Sequence, residues 1–142
     1  RKKVERMYGH ISRWNTAEVT DMSNLLEEAS DDDSFNEDLN SWDVSNCKNL
    51  YRTFRETDSF NSNLNDWDTS GMQVLDQTFF ISDFGGDLSQ WDVSSVTSMQ
   101  TTFRRRPRHR HTYIPLAEDR NVQRTILFNL FSIGWNIAHL SG

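Results

Sequence analysis

Four tryptophans, Trp14, Trp42, Trp67 and Trp91, stand 28, 25 and 24 residues apart, and the residues around them repeat in register. Each opens a near-identical tetrapeptide: Trp14-Asn15-Thr16-Ala17, Trp42-Asp43-Val44-Ser45, Trp67-Asp68-Thr69-Ser70 and Trp91-Asp92-Val93-Ser94. Five residues on stand Val19, Cys47, Met72 and Val96; eight on, Met22, Leu50, Leu75 and Met99; twelve on, Leu26, Phe54, Phe79 and Phe103. Phe35, Phe60 and Phe84 then open the return, and Ile11, Leu39, Leu64 and Leu88 lie three residues before each tryptophan. A unit of about 25 residues cannot hide its own apolar face, so the repeat requires stacking, with like residues above like along a shared spine. Trp14, Trp42, Trp67, Trp91, Met22, Leu50, Leu75, Met99, Phe54, Phe79, Phe103, Phe35, Phe60 and Phe84 are the expected repeat core.

Composition agrees with a thin spine. Hydrophobic residues make up 35% of the 142 and aromatics 12%, so the core is built of few, large side chains. Locally, Leu-x-x-Trp-Asp-Val is rich in aromatic and β-branched residues and predicts a short strand. The apolar offsets of five, eight and twelve fit a short helix, with Ser45, Ser70 or Ser94 as its N-cap. Length differences between units fall in the return loop, around Asp31-Asp32-Asp33 and Phe84-Gly85-Gly86, where they cost little.

The motifs resemble those of the BspA-like leucine-rich repeat family of surface proteins, whose unit runs F-N-x-x-L-x-x-W-D-V-S-x-V-x-x-M-x-x-M-F. Phe35-Asn36 to Phe54, Phe60-Asn61 to Phe79 and Phe84-Gly85 to Phe103 carry it here. Tyr8-Gly9-His10-Ile11-Ser12-Arg13-Trp14 is similar to the family's approach, in which a short helix leads into the first coil. The resemblance covers residues 4–103 and departs at Leu26, at Gly85 and wholly after Phe103. It implies an α/β fold, a leucine-rich-repeat-like solenoid of short parallel strands and short helices with about three and a half coils. It also implies surface display, adhesion or protein binding, with no catalytic residues to carry over.

The expected organisation is therefore a repeat solenoid over 1–103 with an N-terminal lead-in helix, and a divergent basic and apolar tail over 104–142. That tail reads as a cap, a loose appendage or a segment out of frame. Its Arg104-Arg105-Arg106-Pro107-Arg108 run and its apolar stretch from Ile126 to Leu140 have no counterpart in the repeats. Membrane contact by the tail is the weaker alternative.

Charge divides the same way. Residues 1–13 hold five bases and one acid, residues 14–103 three bases and 18 acids, and residues 104–142 seven bases and two acids. A body at net −15 argues against nucleic-acid binding by that body. One cysteine, Cys47, rules out an intrachain disulfide. No hydrophobic run of spanning length occurs, and no signal peptide is expected in the stretch given.

The tryptophan ladder is read as core filling ahead of a sugar-stacking platform. Asp43, Asp68 and Asp92 form a carboxylate ladder, read as turn and cap hydrogen bonding ahead of calcium binding; Asn36 and Asn61 are read as a loop ladder. The acidic run Glu27-Glu28, Asp31-Asp32-Asp33 and Glu37-Asp38 lacks the glycine and terminal glutamate of an EF-hand loop. His10, His109, His111 and His139 join no catalytic constellation. The sequence reads as a non-enzyme without catalytic, cofactor or metal residues. The expected function is that of a non-catalytic protein–protein or cell-surface binding module; the alternative is a structural spacer or end segment of a longer repeat array. The expected location is extracellular or at the cell surface.

Overall fold

The computed structural model describes residues 2–27 and 35–103 of the chain. A short helix, α1, spans Lys2–Tyr8, and Gly9 ends it. Its N–H donates to the Glu5 carbonyl at 2.9 Å with φ at 72°, the left-handed conformation that closes helices most cheaply at glycine. A single 3-10 turn, Ile11–Arg13, then delivers the chain to Trp14.

From Trp14 onward the chain winds as stacked coils, but not in the predicted manner. The expected α/β solenoid of strands and helices is overturned: no strand, and no helix within the coils, occurs among the described residues. Parallel pairing is confined to isolated bridges, Asp21 with Asn49, Asn49 with Val74, and Val74 with Ser98, one residue per coil.

The expected strand fails because Leu-x-x-Trp closes a turn. The tryptophan N–H donates to the carbonyl three residues back, Ile11, Leu39, Leu64 or Leu88, at 3.0–3.3 Å. A second turn follows at once, in which Val19, Cys47, Met72 and Val96 donate to Thr16, Val44, Thr69 and Val93. Two successive turns leave no extended run for a ladder. Side-chain oxygens reinforce both. Asp38, Asn63 and Asp87 accept from the N–H two residues on, and Asn15, Asp43, Asp68 and Asp92 do the same for the second turn.

The expected helix fails for a different reason. Ten residues after each tryptophan stand Asn24, Arg52, Gln77 and Thr101, and all four have φ between 52° and 58°. A right-handed helix cannot pass through a left-handed residue. Amides there alternate between two destinations. In the second coil Leu50, Arg52, Phe54 and Glu56 donate across to Val74, Asp76, Thr78 and Phe80. Between them, Thr53 and Arg55 donate back to Leu50 and Arg52 within the coil. The third coil repeats this with Leu75, Gln77 and Phe79 donating to Ser98, Gln100 and Thr102. Turn after turn is thus stitched to the next coil through every second N–H.

This winding has a period of four, two residues in and two out. In the second coil Leu50 is buried, Tyr51 and Arg52 face outward, Thr53 and Phe54 are buried, Arg55 and Glu56 face outward, and Thr57 is buried. The spacing of eight and twelve that suggested helix is one side of that period. The inward pairs mix apolar and hydroxyl side chains, and the threonines form a buried column. Thr53 Oγ1 donates to Met22 O, while Thr78 Oγ1 lies 3.0 and 2.9 Å from the Leu50 and Leu75 carbonyls. Thr102 Oγ1 repeats the pattern with Leu75 and Met99. Each hydroxyl thus adds a bond to a carbonyl of the turns, since Met22, Leu50 and Leu75 also accept from the Leu25, Thr53 and Thr78 N–H groups.

Candidate functional site

The repeat-core residues come together as rings in register. Trp42, Trp67 and Trp91 are buried and stack with centroids 6.5 and 6.1 Å apart and planes within 6° of parallel. Each indole Nε1 donates at 2.9 Å to a carbonyl of the preceding coil: Trp42 to Ile11, Trp67 to Leu39, Trp91 to Leu64. Trp14 is only half-buried, and its Nε1 turns to Gly9 O at 3.2 Å. A second column runs Phe54, Phe79, Phe103, at 5.2 and 5.6 Å. A third runs Phe35, Phe60, Phe84, at 5.8 and 6.0 Å. Phe54 on Phe60 and Phe79 on Phe84 join the two columns. Met22, Leu50, Leu75 and Met99 are buried beside them, while Phe103 in the last coil is half-buried. Ring faces used on one another are not available to a sugar.

The aspartate ladder lies exposed on the rim. Asp43, Asp68 and Asp92 each accept from the backbone N–H of the following serine, Ser45, Ser70 or Ser94. The serine hydroxyl adds a second bond, at 2.6 Å from Ser45 to Asp43. Those hydroxyl bonds, then the backbone ones, hold all three carboxyls below the usual aspartate range, while Asp43 opposes the effect at Asp68 and Asp68 at Asp92. The same logic depresses Asp21, through Ser23 and Asn49. Among the described residues no group of three or more His, Cys, Asp and Glu converges to hold a metal ion. The central part of the acidic run, 28–34, lies outside the described residues, as do His109, His111, His139 and the whole tail from 104.

Other candidates resolve as structure. Asn36 and Asn61 form a ladder: Asn36 Oδ1 accepts from Asn61 N at 2.8 Å, and Asn61 Oδ1 from Gly85 N at 2.9 Å. His10 places Nδ1 2.8 Å from Ser12 Oγ and Nε2 3.1 Å from Glu37, tying the approach segment to the first return. Cys47 is buried, and burial pushes its thiol pKa up, so it is a protonated core residue rather than a nucleophile.

The surface without a structural explanation in the repeat is the outward half of the four-residue period. In the first coil it carries Ser23, Asn24 and Glu27, and in the last Gln100 and Thr101. In the two middle coils it carries Tyr51, Arg52, Arg55 and Glu56, then Asp76, Gln77, Phe80 and Ile81. These side chains interlock across the coils. Arg52 lies 4.8 Å over the Tyr51 ring and donates from Nε to Gln77 Oε1 at 2.8 Å. Arg55 pairs with Glu27 and Glu56 and sits 5.9 Å over the Phe80 ring. Val74 is half-buried at the edge of the same face. Sequence reasoning missed this face because it followed what repeats. The signal was present in what does not: two arginines, two aromatics and an isoleucine at positions that are polar in the outer coils.

The sequence profile of a family described as "Mycoplasma protein of unknown function, DUF285" matches residues 2–113. The chain belongs to that family. The match spans the lead-in helix and all four coils, so the turn-stacked architecture lies wholly within the family's extent. The narrower likeness to BspA-like leucine-rich repeats is not established by it. No curated protein and no solved structure matches the chain. Among the described residues, no helix is long and apolar enough to cross a membrane.

Proposed function

We propose that this member of the DUF285 family is a non-catalytic protein-binding module that works through the outward face of its two middle coils. One observation carries the reading: Tyr51, Phe80 and Ile81 stand half-exposed on that face, together with Arg52 and Arg55. Aromatic and arginine side chains are the residues that dominate protein interfaces, and a mere spacer has no need of them there. The stacked rings and threonine column supply a stiff support, so a partner meets a preorganised surface. Resemblance of the repeat motif to the BspA-like surface proteins supports display outside the cell and a protein or cell-surface ligand.

Binding of the full chain to intact cells and to extracellular matrix, compared with a Phe80→Ser, Ile81→Ser double variant, tests this. Loss of at least about tenfold in affinity, with the melting transition kept, is the expected result for removing two central apolar contacts. Equal binding by both proteins assigns the contact elsewhere, and no binding by either favours the spacer.

A further inference from the structure

We propose that copies of this chain associate head to tail, the last coil of one stacking on the first coil of the next as coil stacks on coil within the chain. The proposal is independent of the outward face and rests on a polarity in the stack. N–H groups eight, ten and twelve residues after each tryptophan donate to carbonyls of the following coil. Met22, Asn24 and Leu26 donate to Asn49, Tyr51 and Thr53; Leu50, Arg52 and Phe54 to Val74, Asp76 and Thr78; Leu75, Gln77 and Phe79 to Ser98, Gln100 and Thr102. One bond at each interface runs the other way, from Lys48 N to Thr20 O, Gln73 N to Lys48 O and Thr97 N to Gln73 O.

This polarity makes the two ends of the stack different. In the last coil the N–H groups of Met99, Thr101 and Phe103 and the Thr97 carbonyl stand at the bonding positions and have no partner among the described residues. They keep the direction of their counterparts. Ser98, Gln100 and Thr102 accept from the third coil in alternation with them, and Thr101 has φ at 52° where Asn24, Arg52 and Gln77 have 58°, 56° and 55°. In the first coil the carbonyls of Asp21, Ser23 and Leu25 and the Thr20 N–H are likewise without partners among the described residues. Asp21 and Leu25 are exposed, so α1 does not cover that edge. Three donors and one acceptor at one end thus face three acceptors and one donor at the other, with the reversed bond in the same place as in the chain's own interfaces. An edge of unpaired backbone groups is a template for another chain, and the complement of this edge is the opposite end of the same molecule.

Apolar side chains mark the same two ends. Leu25 is 47% exposed where its counterparts Thr53, Thr78 and Thr102 are buried, and Phe103 is half-buried where Phe54 and Phe79 are buried. Phe79 N–H donates to Thr102 O within the chain; the same register between copies sets Phe103 N–H on Leu25 O and covers both side chains. Two internal bonds are not repeated there. Leu25 has no hydroxyl to reach back as Thr53 does to Met22 O, and Trp14 Nε1 is held by Gly9 O, whereas Trp91 Nε1 reaches Leu64 O in the coil before it. The contact between copies is therefore weaker than those within the chain and reversible. Because the two surfaces differ, it is heterologous and growth does not stop at two copies.

The test is sedimentation velocity of the full chain from about 1 μM to about 1 mM, at low and physiological salt. The mean mass is expected to rise with concentration, through dimers to longer stacks. It is expected to rise further with salt, because the net −15 of residues 14–103 opposes contact between copies. Leu25→Arg closes the acceptor end and Phe103→Arg the donor end. Each variant alone is expected to stay monomeric, and an equimolar mixture to form a dimer and nothing larger, since one open end of each kind remains. Thermal melting checks both variants. If Phe103→Arg unfolds, Thr101→Glu takes its place: Arg52 and Gln77 show that the position accommodates long side chains at the same φ, and the new carboxylate opposes Asp21 and Glu27 of the incoming coil. A full chain that is monomeric throughout overturns the proposal, the edges then being closed within one molecule. Association that weakens with salt also overturns it, in favour of pairing between the basic segments and the acidic body. Association that survives either single variant, or a mixture that stays monomeric, overturns the head-to-tail register.

Discussion

Trp67 is the residue on which the stacked architecture can be tested most sharply. Its ring lies between Trp42 and Trp91 and also meets Phe54 at 6.0 Å with a 38° tilt. Its indole holds the carbonyl of Leu39, a residue with no exposed surface. Trp67→Ala opens a cavity in the middle coil, for which large-to-small core changes cost about 3–5 kcal/mol. The Leu39 carbonyl loses one of its two donors and keeps the Trp42 N–H, which adds up to about 1 kcal/mol. Both neighbouring coils lose a ring face, and in a stack whose stability is a sum of neighbour contacts there is nothing remote to compensate. The total is a large share of the roughly 5–15 kcal/mol that holds a domain folded.

The assay is urea unfolding of the full chain, followed by fluorescence of the remaining tryptophans. With an m value of about 1.5 kcal/mol/M, the midpoint falls by about 2–4 M, or the protein is unfolded at the outset. Trp67→Phe keeps a ring in the column and removes the Nε1 donor, at about 1–3 kcal/mol. Trp14→Ala removes a half-buried ring at the end of the stack and costs about 1–2 kcal/mol. The order Trp67→Ala, then Trp67→Phe, then Trp14→Ala is the content of the prediction. Trp67→Ala melting like the parent, or Trp14→Ala costing as much as Trp67→Ala, refutes the register of rings.

Thr78→Val removes a buried hydroxyl shared by two carbonyls at nearly constant volume, so a loss of about 1–2 kcal/mol in the same urea assay is expected, with Thr78→Ser restoring about half. Ile81→Asn replaces a β-branched residue at positive φ with a residue type that takes that conformation more readily, and should raise stability by up to about 1 kcal/mol; a lower midpoint shows that packing outweighs strain there. Asp43, Asp68 and Asp92 are depressed in the folded chain by their serine hydrogen bonds. Their contribution is therefore present above the unfolded carboxylate value of about 3.9 and is lost as pH falls through the lower folded values. A melting curve taken downward from pH 6 should show its acid limb below about pH 4, and the Asp43, Asp68, Asp92→Asn triple variant should flatten that limb. Moderate salt should raise the melting temperature by screening the net −15 of residues 14–103; a steady fall would mean that ion pairs such as Arg55 with Glu27 dominate instead.

The stacking and the identity of its rings were legible because they depend on register alone. A tryptophan at a fixed offset must meet its counterpart whenever coils stack, whatever the backbone does between them. The local conformation was not legible, because two windings share the signal. Apolar residues at offsets of eight and twelve satisfy a helix, but they equally satisfy a run of turns with a four-residue period. The deciding residue is the one ten positions on, and Asn24, Arg52, Gln77 and Thr101 share no side-chain chemistry that announces a positive φ. Only Asn24 is of a type that favours it. The strand expectation failed similarly: Trp-Asp-Val has strand composition, yet aspartate followed two residues later by a free N–H is an Asx turn, and that capture outcompetes extension. The buried threonines were missed because hydroxyls count as polar in any pattern, although here they bond inward to carbonyls of the turns.

Repetition and variation occupy different residues in this chain, and the physics of stacking explains why. Inward positions are constrained by the coil above and the coil below, so each must match its counterparts in shape; that constraint produced the Trp, Phe and Thr columns. Outward positions are constrained less tightly. Arg52 and Arg55 still bond across coils, to Gln77 and Glu27, whereas Ile81 at φ 57° carries a strain. Tyr51 and Arg52 stand where the outer coils carry Ser23 and Asn24 or Gln100 and Thr101, and Arg55 and Phe80 stand where the first coil carries Glu27. A repeat that tolerates free variation at those sites has, in its two central coils, accumulated the side chains that contribute most when water is excluded by another surface. That concentration, rather than any feature of the repeated core, is what the proposed binding role rests on.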